Sequence, residues 1–95
     1  MTPKSLVIRH EPEARRFAAD IGGAAAYITY REVDGRILDL DHTFVPPTLR
    51  GGGIASQLTA HALRFARAEG CRVVPSCPFV AAYVQRHPEY RALLA

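Results

Sequence analysis

The sequence holds two cysteines, one methionine and no tryptophan. Cys71 and Cys77 lack Cys-x-x-Cys spacing and have no histidine close by, which removes zinc fingers, zinc ribbons and disulfide scaffolds from consideration. Free thiols in a reducing cytoplasmic setting are the expectation, and no metal is expected. Also missing are an apolar run of membrane-spanning length, a signal peptide and a lipidation pattern, so no membrane association is expected. Charge is modest, with twelve Lys and Arg against nine Asp and Glu for a formal net +3. The eleven arginines are scattered, without a basic run or interleaved aromatics. Anionic ligands are favoured in a general way, while specific nucleic-acid binding is not expected. What 95 residues, 48% of them hydrophobic, do provide is one small domain, 1–95, with a modest core.

Strand signals fill the first half. Leu6–His10 reads as a short strand, Glu11-Pro12-Glu13 as a turn, and Arg16–Asp20 as a second strand paired with the first. Gly22-Gly23 breaks the chain before Ala24–Val33, where Tyr27, Thr29, Arg31 and Val33 alternate with Ile28, Tyr30 and Glu32, the period of a strand. Asp34-Gly35 suits a type I′ hairpin turn, since both residues tolerate positive φ. The return strand is Arg36–Val45, ended by Pro46 and Pro47, which cannot donate ladder hydrogen bonds. Four strands joined by short connections predict an antiparallel meander.

Next comes Leu49-Arg50-Gly51-Gly52-Gly53-Ile54-Ala55, leading into a helix expected from about Gly52 to Glu69. Ile54, Leu58, Ala62 and Phe65 share one face, Arg64 and Arg67 point away, and Gly70 is the stop. Three glycines at a helix start read equally as a flexible turn or as an anion cradle. The cradle has a physical basis: unpaired N–H groups, the positive end of the dipole, and missing β-carbons that let a phosphate approach. A Walker loop is excluded because no Gly-Lys-Ser/Thr follows, and a dinucleotide fingerprint fits only in part because Ser56 stands where its third glycine belongs. His61 sits at the edge of the apolar face, where a partly buried, hydrogen-bonded histidine is expected.

Cys71–Pro75 reads as a fifth strand, which a crossover helix returns parallel to the fourth. Pro78 suits the first position of a second helix, with Ser76 or Cys77 as its cap, and Phe79, Val80, Tyr83, Val84 and His87 keep helical spacing until Pro88. A short closing turn runs through Tyr90, Leu93 and Leu94. The positive end of a helix favours a thiolate, which makes Cys77 a candidate nucleophile. The plainer reading of Cys77 is a small buried hydrophobe and cap.

The spelling Val45-x-Pro47-x-x-Arg50-Gly51-x-Gly53-Ile54-Ala55, followed by Leu58, Ala62, Ala66 and Gly70, resembles the acetyl-CoA-binding motif of the GNAT superfamily of N-acetyltransferases. The pattern Gln/Arg-x-x-Gly-x-Gly/Ala is met at Arg50, Gly53 and Ala55. With Pro75-x-Cys77-Pro78-Phe79-Val80 and His87-Pro88-Glu89-Tyr90 downstream, the resemblance covers most of the chain and points to a short branch. It implies an α+β, GNAT-like mixed and mostly antiparallel five-stranded sheet, with one long glycine-initiated helix and a shorter C-terminal helix. It also implies that acetyl-CoA is bound by Thr43, Phe44 and Val45 along its pantetheine arm, with Arg50, Gly51, Gly52, Gly53, Ile54 and Ala55 at the cradle. Tyr83 matches the tyrosine that protonates the departing CoA thiolate. The usual pair of helices between the first two strands is missing, so the acceptor side is expected to be open, or completed by a partner.

The resulting expectation is acetyl transfer from a CoA thioester to an amine. In direct attack, Tyr83 is the acid and Asp41 or His42 a candidate base; in a relay, Cys77 takes the acetyl group first. Each also has a structural reading: Asp41 and His42 as a strand-end pair, Phe44, Val45 and Tyr83 as core. A rival from another class is a non-catalytic CoA- or acyl-CoA-binding module acting through a partner. The acceptor stays open among small amines and protein amines, and a homodimer is not decided by the sequence.

Overall fold

A computed structural model describes residues 6–95. Five strands form one mixed sheet in the order β1-β2-β3-β4-β5: β1 is Arg9–Glu11, β2 Arg16–Ile21, β3 Ala24–Val33, β4 Ile37–Phe44 and β5 Arg72–Val74. The first four pair antiparallel and β5 lies parallel to β4. Between β4 and β5 runs helix α1, Ile54–Ala68, and after β5 comes α2, Pro78–Arg86. The fold class expected from the sequence is the one observed.

Several boundaries differ. β1 starts at Arg9, three residues later than the apolar run suggests. The hairpin register pairs Val33 with Ile37, so its connection is three residues, although Asp34 and Gly35 do take positive φ of 53° and 68°. α1 starts at Ile54 rather than Gly52, because Gly51 and Gly53 adopt φ of 88° and 79°, which no α-helical turn accommodates. At its far end, the Cys71 N–H donates to Ala66 O and the Gly70 N–H to Arg67 O, a Schellman stop built on Gly70 at φ 71°. The chain end returns to β5, which no local signal announces: Leu94 bridges Val73 and the Ala95 N–H donates to Val73 O at 2.9 Å.

Both helices pack on one face of the sheet. Leu58, Ala62, Leu63 and Ala66 of α1 and Val80 and Val84 of α2 close a core with Phe17, Ile28, Tyr30, Leu38 and Leu40. Small side chains at 62 and 66 let α1 approach the strands closely, and Thr59, fully buried, satisfies its hydroxyl by donating to Ala55 O at 2.8 Å. The opposite face carries Arg9, Arg16, Tyr27, Thr29, Arg31 and Phe44, laced by contacts among themselves: Arg9 with Asp20, Arg31 with Asp39, and the Arg16 guanidinium over Tyr27 at 5.1 Å.

At the α1 side of the sheet, His10, Phe17, Tyr30, His61 and Phe65 form an aromatic cluster. His10 stacks on Phe17 at 4.5 Å and hydrogen-bonds the Tyr30 hydroxyl at 2.6 Å. His61 is partly buried as expected, but it meets the Phe17 ring edge-on at 5.4 Å and has no hydrogen bond among the described residues. Burial, then the nearby Arg64 and His10, holds the His61 imidazole below the usual histidine range. The unfolded chain therefore takes up this proton at higher pH than the folded one, and stability is lost as pH falls through and below about 6.5. Thermal melts should show a midpoint that drops between about pH 7.5 and 5.5, and His61→Gln should flatten that drop.

Candidate functional site

The site begins with an irregularity in β4. Tyr30 pairs with Leu40 and Thr29 with His42, so Asp41 is an extra residue, a β-bulge. Its carboxylate accepts from the Thr29 hydroxyl at 2.6 Å, fixing the bulge across the ladder. The second irregularity lies on the other side of the same strand. β5 follows β4 only as far as Val74 opposite Asp39, after which the Cys77 N–H donates to Leu40 O at 2.9 Å. Since Arg72 N–H donates to Arg36 O, the β5 side carries one residue more than the β4 side between these bonds. Pro75, which has no N–H, falls within that stretch. Past Leu40, β4 keeps its β3 partner through Phe44 but has no strand partner on the β5 side among the described residues.

A cavity of about 630 Å³ lies along that open edge. One wall is His42, Thr43, Phe44 and Val45. Another is the start of α1, with Gly51, Gly53, Ile54, Ala55 and Ser56; Phe79 and Arg86 of α2 complete it. Between strand and helix, a 3₁₀ turn over Pro47–Leu49 bends the chain, and the Arg50 Nε–H donates to Val45 O at 3.0 Å, tying the two ends of the bend together. Among the lining residues are two guanidinium groups, Arg50 and Arg86, and no carboxylate. With the helix N–H groups and dipole added, the cavity is electropositive.

Of the residues the sequence singles out, Thr43, Phe44, Val45, Arg50, Gly51, Gly53, Ile54, Ala55 and His42 all line this cavity, whereas Gly52 does not. His42 is exposed on the face away from the helices, its ring 6.4 Å from that of Tyr27, which lies 5.4 Å from Phe44. Cys77 and Tyr83 are not among the lining residues. Cys77 is buried as the cap residue of α2, without a side-chain cap bond, and its Sγ lies 3.5 Å from the hydroxyl of Thr43, which does line the cavity. Tyr83 is buried farther along α2, stacked on His87 at 4.0 Å with Tyr90 at 6.2 Å. Burial, then Tyr90, raises the Tyr83 hydroxyl above the usual tyrosine range. Leu49, Ser56, Phe79 and Arg86 were not picked out as site residues by sequence. The spacing of seven between Phe79 and Arg86, which puts both on one side of α2, is the signal that pairs them.

Comparison with known proteins agrees with this geometry. A family model described as GCN5-related N-acetyl-transferase matches residues 16–93. Protein NATD1 of Mus musculus is 35% identical over 83 residues, covering 85% of this chain and 76% of the relative. Protein NATD1 of Xenopus tropicalis is 32% identical over 91 residues, covering 93% and 84%. The solution structure of a GCN5-like protein from Staphylococcus aureus, an N-acetyltransferase candidate, superposes with a TM-score of 0.74 at 28% identity over 96% of this chain and 89% of that one.

The glycines of the cradle are not equivalent. A β-carbon on Gly53 would meet no atom within 4 Å, yet φ is 79°; one on Gly52 would lie 3.7 Å from Leu49 O at a φ open to any residue. Gly53→Ala should therefore lower stability by about 1–2 kcal/mol in urea unfolding. Gly52→Ala should be neutral or stabilising by up to about 1 kcal/mol in the same measurement.

Proposed function

The chain belongs to the GCN5-related N-acetyl-transferase family, and from that premise we propose that it transfers an acetyl group from acetyl-CoA to an amine. The observation that carries this reading is the single cavity shared by the unpaired edge of β4 and the glycine-led start of α1. A pantetheine arm, with its two amides, suits a strand edge with free N–H and C=O groups. A pyrophosphate suits the N–H groups at residues 51–55 and the neighbouring Arg50, with no carboxylate in the lining to oppose it.

For the chemistry, the relay is favoured by position. Cys77 lies beside a hydroxyl that lines the cavity, whereas the Tyr83 ring is packed against His87. In the relay, the Cys77 thiolate attacks the thioester carbonyl, a new C–S bond forms at Cys77, the bond to the CoA sulfur breaks, and the CoA thiolate takes up a proton. The amine then attacks the acetyl-cysteine carbonyl, forming the C–N bond and returning the thiolate, while its own proton leaves to solvent or to a base such as the exposed His42. Thr43, 3.5 Å from Sγ, would orient the thiol. Tyr83, with a hydroxyl that holds its proton at neutral pH, serves as acid in the direct route if its ring can turn toward the departing sulfur.

The rival reading, a CoA-binding module without turnover, draws on the uncovered face. Both α-helices pack on the other side, so among the described residues no helical wall encloses an acceptor beside His42 and Phe44.

Incubation of the protein with acetyl-CoA, followed by intact-protein mass spectrometry and an amine-dependent thiol-release assay, separates these readings. The relay predicts an acetyl adduct that Cys77→Ala removes, with transfer falling about a hundredfold or more and affinity for CoA changing less than about threefold. Transfer that survives Cys77→Ala and falls by a similar factor in Tyr83→Phe would assign the direct route. Binding without adduct or thiol release in any amine screen would assign the module.

A further inference from the structure

We infer that Arg86 is a specificity-determining residue that reads the ribose 3′-phosphate of CoA, so that the cavity distinguishes CoA from its 3′-dephospho form; the inference rests on the proposed use of CoA. CoA carries two separate anionic groups, the pyrophosphate and the 3′-phosphomonoester, and the latter bears about −1.5 to −2 charge at neutral pH. Two elements contribute cationic side chains to the cavity lining. The first is the start of α1 together with Arg50, whose guanidinium is already anchored on Val45 O at 3.0 Å. The second is Arg86, on the last turn of α2.

The arginines 9, 16, 31, 50, 72 and 91 all have hydrogen-bond or ion-pair partners. Arg15, Arg36, Arg64, Arg67 and Arg86 have no hydrogen-bond or ion-pair partner among the described residues, and of these five Arg86 alone lines the cavity. It is also exposed. A basic residue in the last turn of a helix is favoured by the dipole, which accounts for its sign but not for its direction. Its direction follows from the helix period. Arg86 stands seven residues after Phe79, about 10 Å along the same side of α2, and both line the cavity. Phe79 is near the β4 end, since the preceding cap residue Cys77 touches Thr43, and Arg86 is at the far end of α2. An unpaired arginine fork there can give a terminal phosphate two parallel N–H···O bonds.

Isothermal titration of the full chain with CoA and with 3′-dephospho-CoA at fixed low salt tests this. The wild type should bind CoA about tenfold or more tightly than the dephospho form, and Arg86→Gln should abolish that preference while its affinity for 3′-dephospho-CoA stays at the wild-type value. That unchanged affinity also reports that the variant is folded. Arg86→Lys should keep part of the preference, because it retains the charge and loses the fork. Equal binding of both ligands by the wild type, or a preference that survives Arg86→Gln, overturns the assignment while leaving CoA binding intact. Equal weakening of both ligands in Arg86→Gln overturns it in favour of a pyrophosphate contact. Failure of the wild type to bind either ligand overturns the functional reading itself, and this inference with it.

Discussion

The parting of β4 from β5 is the constraint on which the rest of the architecture depends. Parallel strands that stayed paired would satisfy each other's N–H and C=O groups and leave no open edge. Here the two strands are held together to Asp39 and Val74 and then separated by an extra residue on each ladder, Asp41 against β3 and one more in the Pro75–Ser76 stretch against β4. Residues 72 and 74 face β4 with their N–H groups, so regular pairing would use Ser76 for the next rung, and the extra residue passes that rung to Cys77. The Cys77 N–H bond to Leu40 O is the last tie, and it sets where α2 begins. One backbone bond thus fixes the apex of the wedge and the position of the thiol beside Thr43.

α1 divides into two parts with opposite demands. Its approach, Gly51–Gly53, uses left-handed backbone at two positions and contributes no buried side chain; its body, from Leu58 on, is buried at Leu58, Thr59, Ala60, Ala62, Leu63 and Ala66. The packed body secures the helix so that the loose approach can be set by the cavity rather than by the core. The same logic explains why the helix begins at Ile54, buried against that core, and not at the first glycine. Arg50 then fixes the approach by binding a carbonyl, and Gly51 and Gly53 line the cavity.

Local chemistry made much of this legible in the sequence. Asp34-Gly35, Gly70, Pro46-Pro47 and Pro78 each mark a boundary through a requirement of their own backbone, and the alternation in Ala24–Val33 reports a sheet with one buried face. The apolar spacing of α1 and the parallel return of the fifth strand follow from the same rules. What escaped was decided between elements. Nothing in Leu40-Asp41-His42 announces a bulge, because Asp41 is the extra residue only relative to the register of β3. The pairing of Leu94 with Val73 depends on where the closing turn lands. Arg86 reads as an ordinary charged residue at a helix end until the cavity is in view. Tyr83 could be placed on α2 by spacing, but its stacking on His87 could not.

The two chemical candidates on α2 illustrate how burial sorts residues that motif matching treats alike. Cys77 and Tyr83 are both buried, at 6% and 7% exposure. Their surroundings differ in kind: the thiol has a hydroxyl partner that itself lines the cavity, whereas the phenol ring stacks on His87, and burial raises its hydroxyl above the usual tyrosine range. A nucleophile needs a short path to the carbonyl and little else, which a shift of one side chain at the wedge apex can supply. An acid needs its proton aligned with a leaving sulfur at the moment of departure, and Tyr83 is not among the residues that line the cavity. On the proposed function, this difference in surroundings is what places Cys77 ahead of Tyr83.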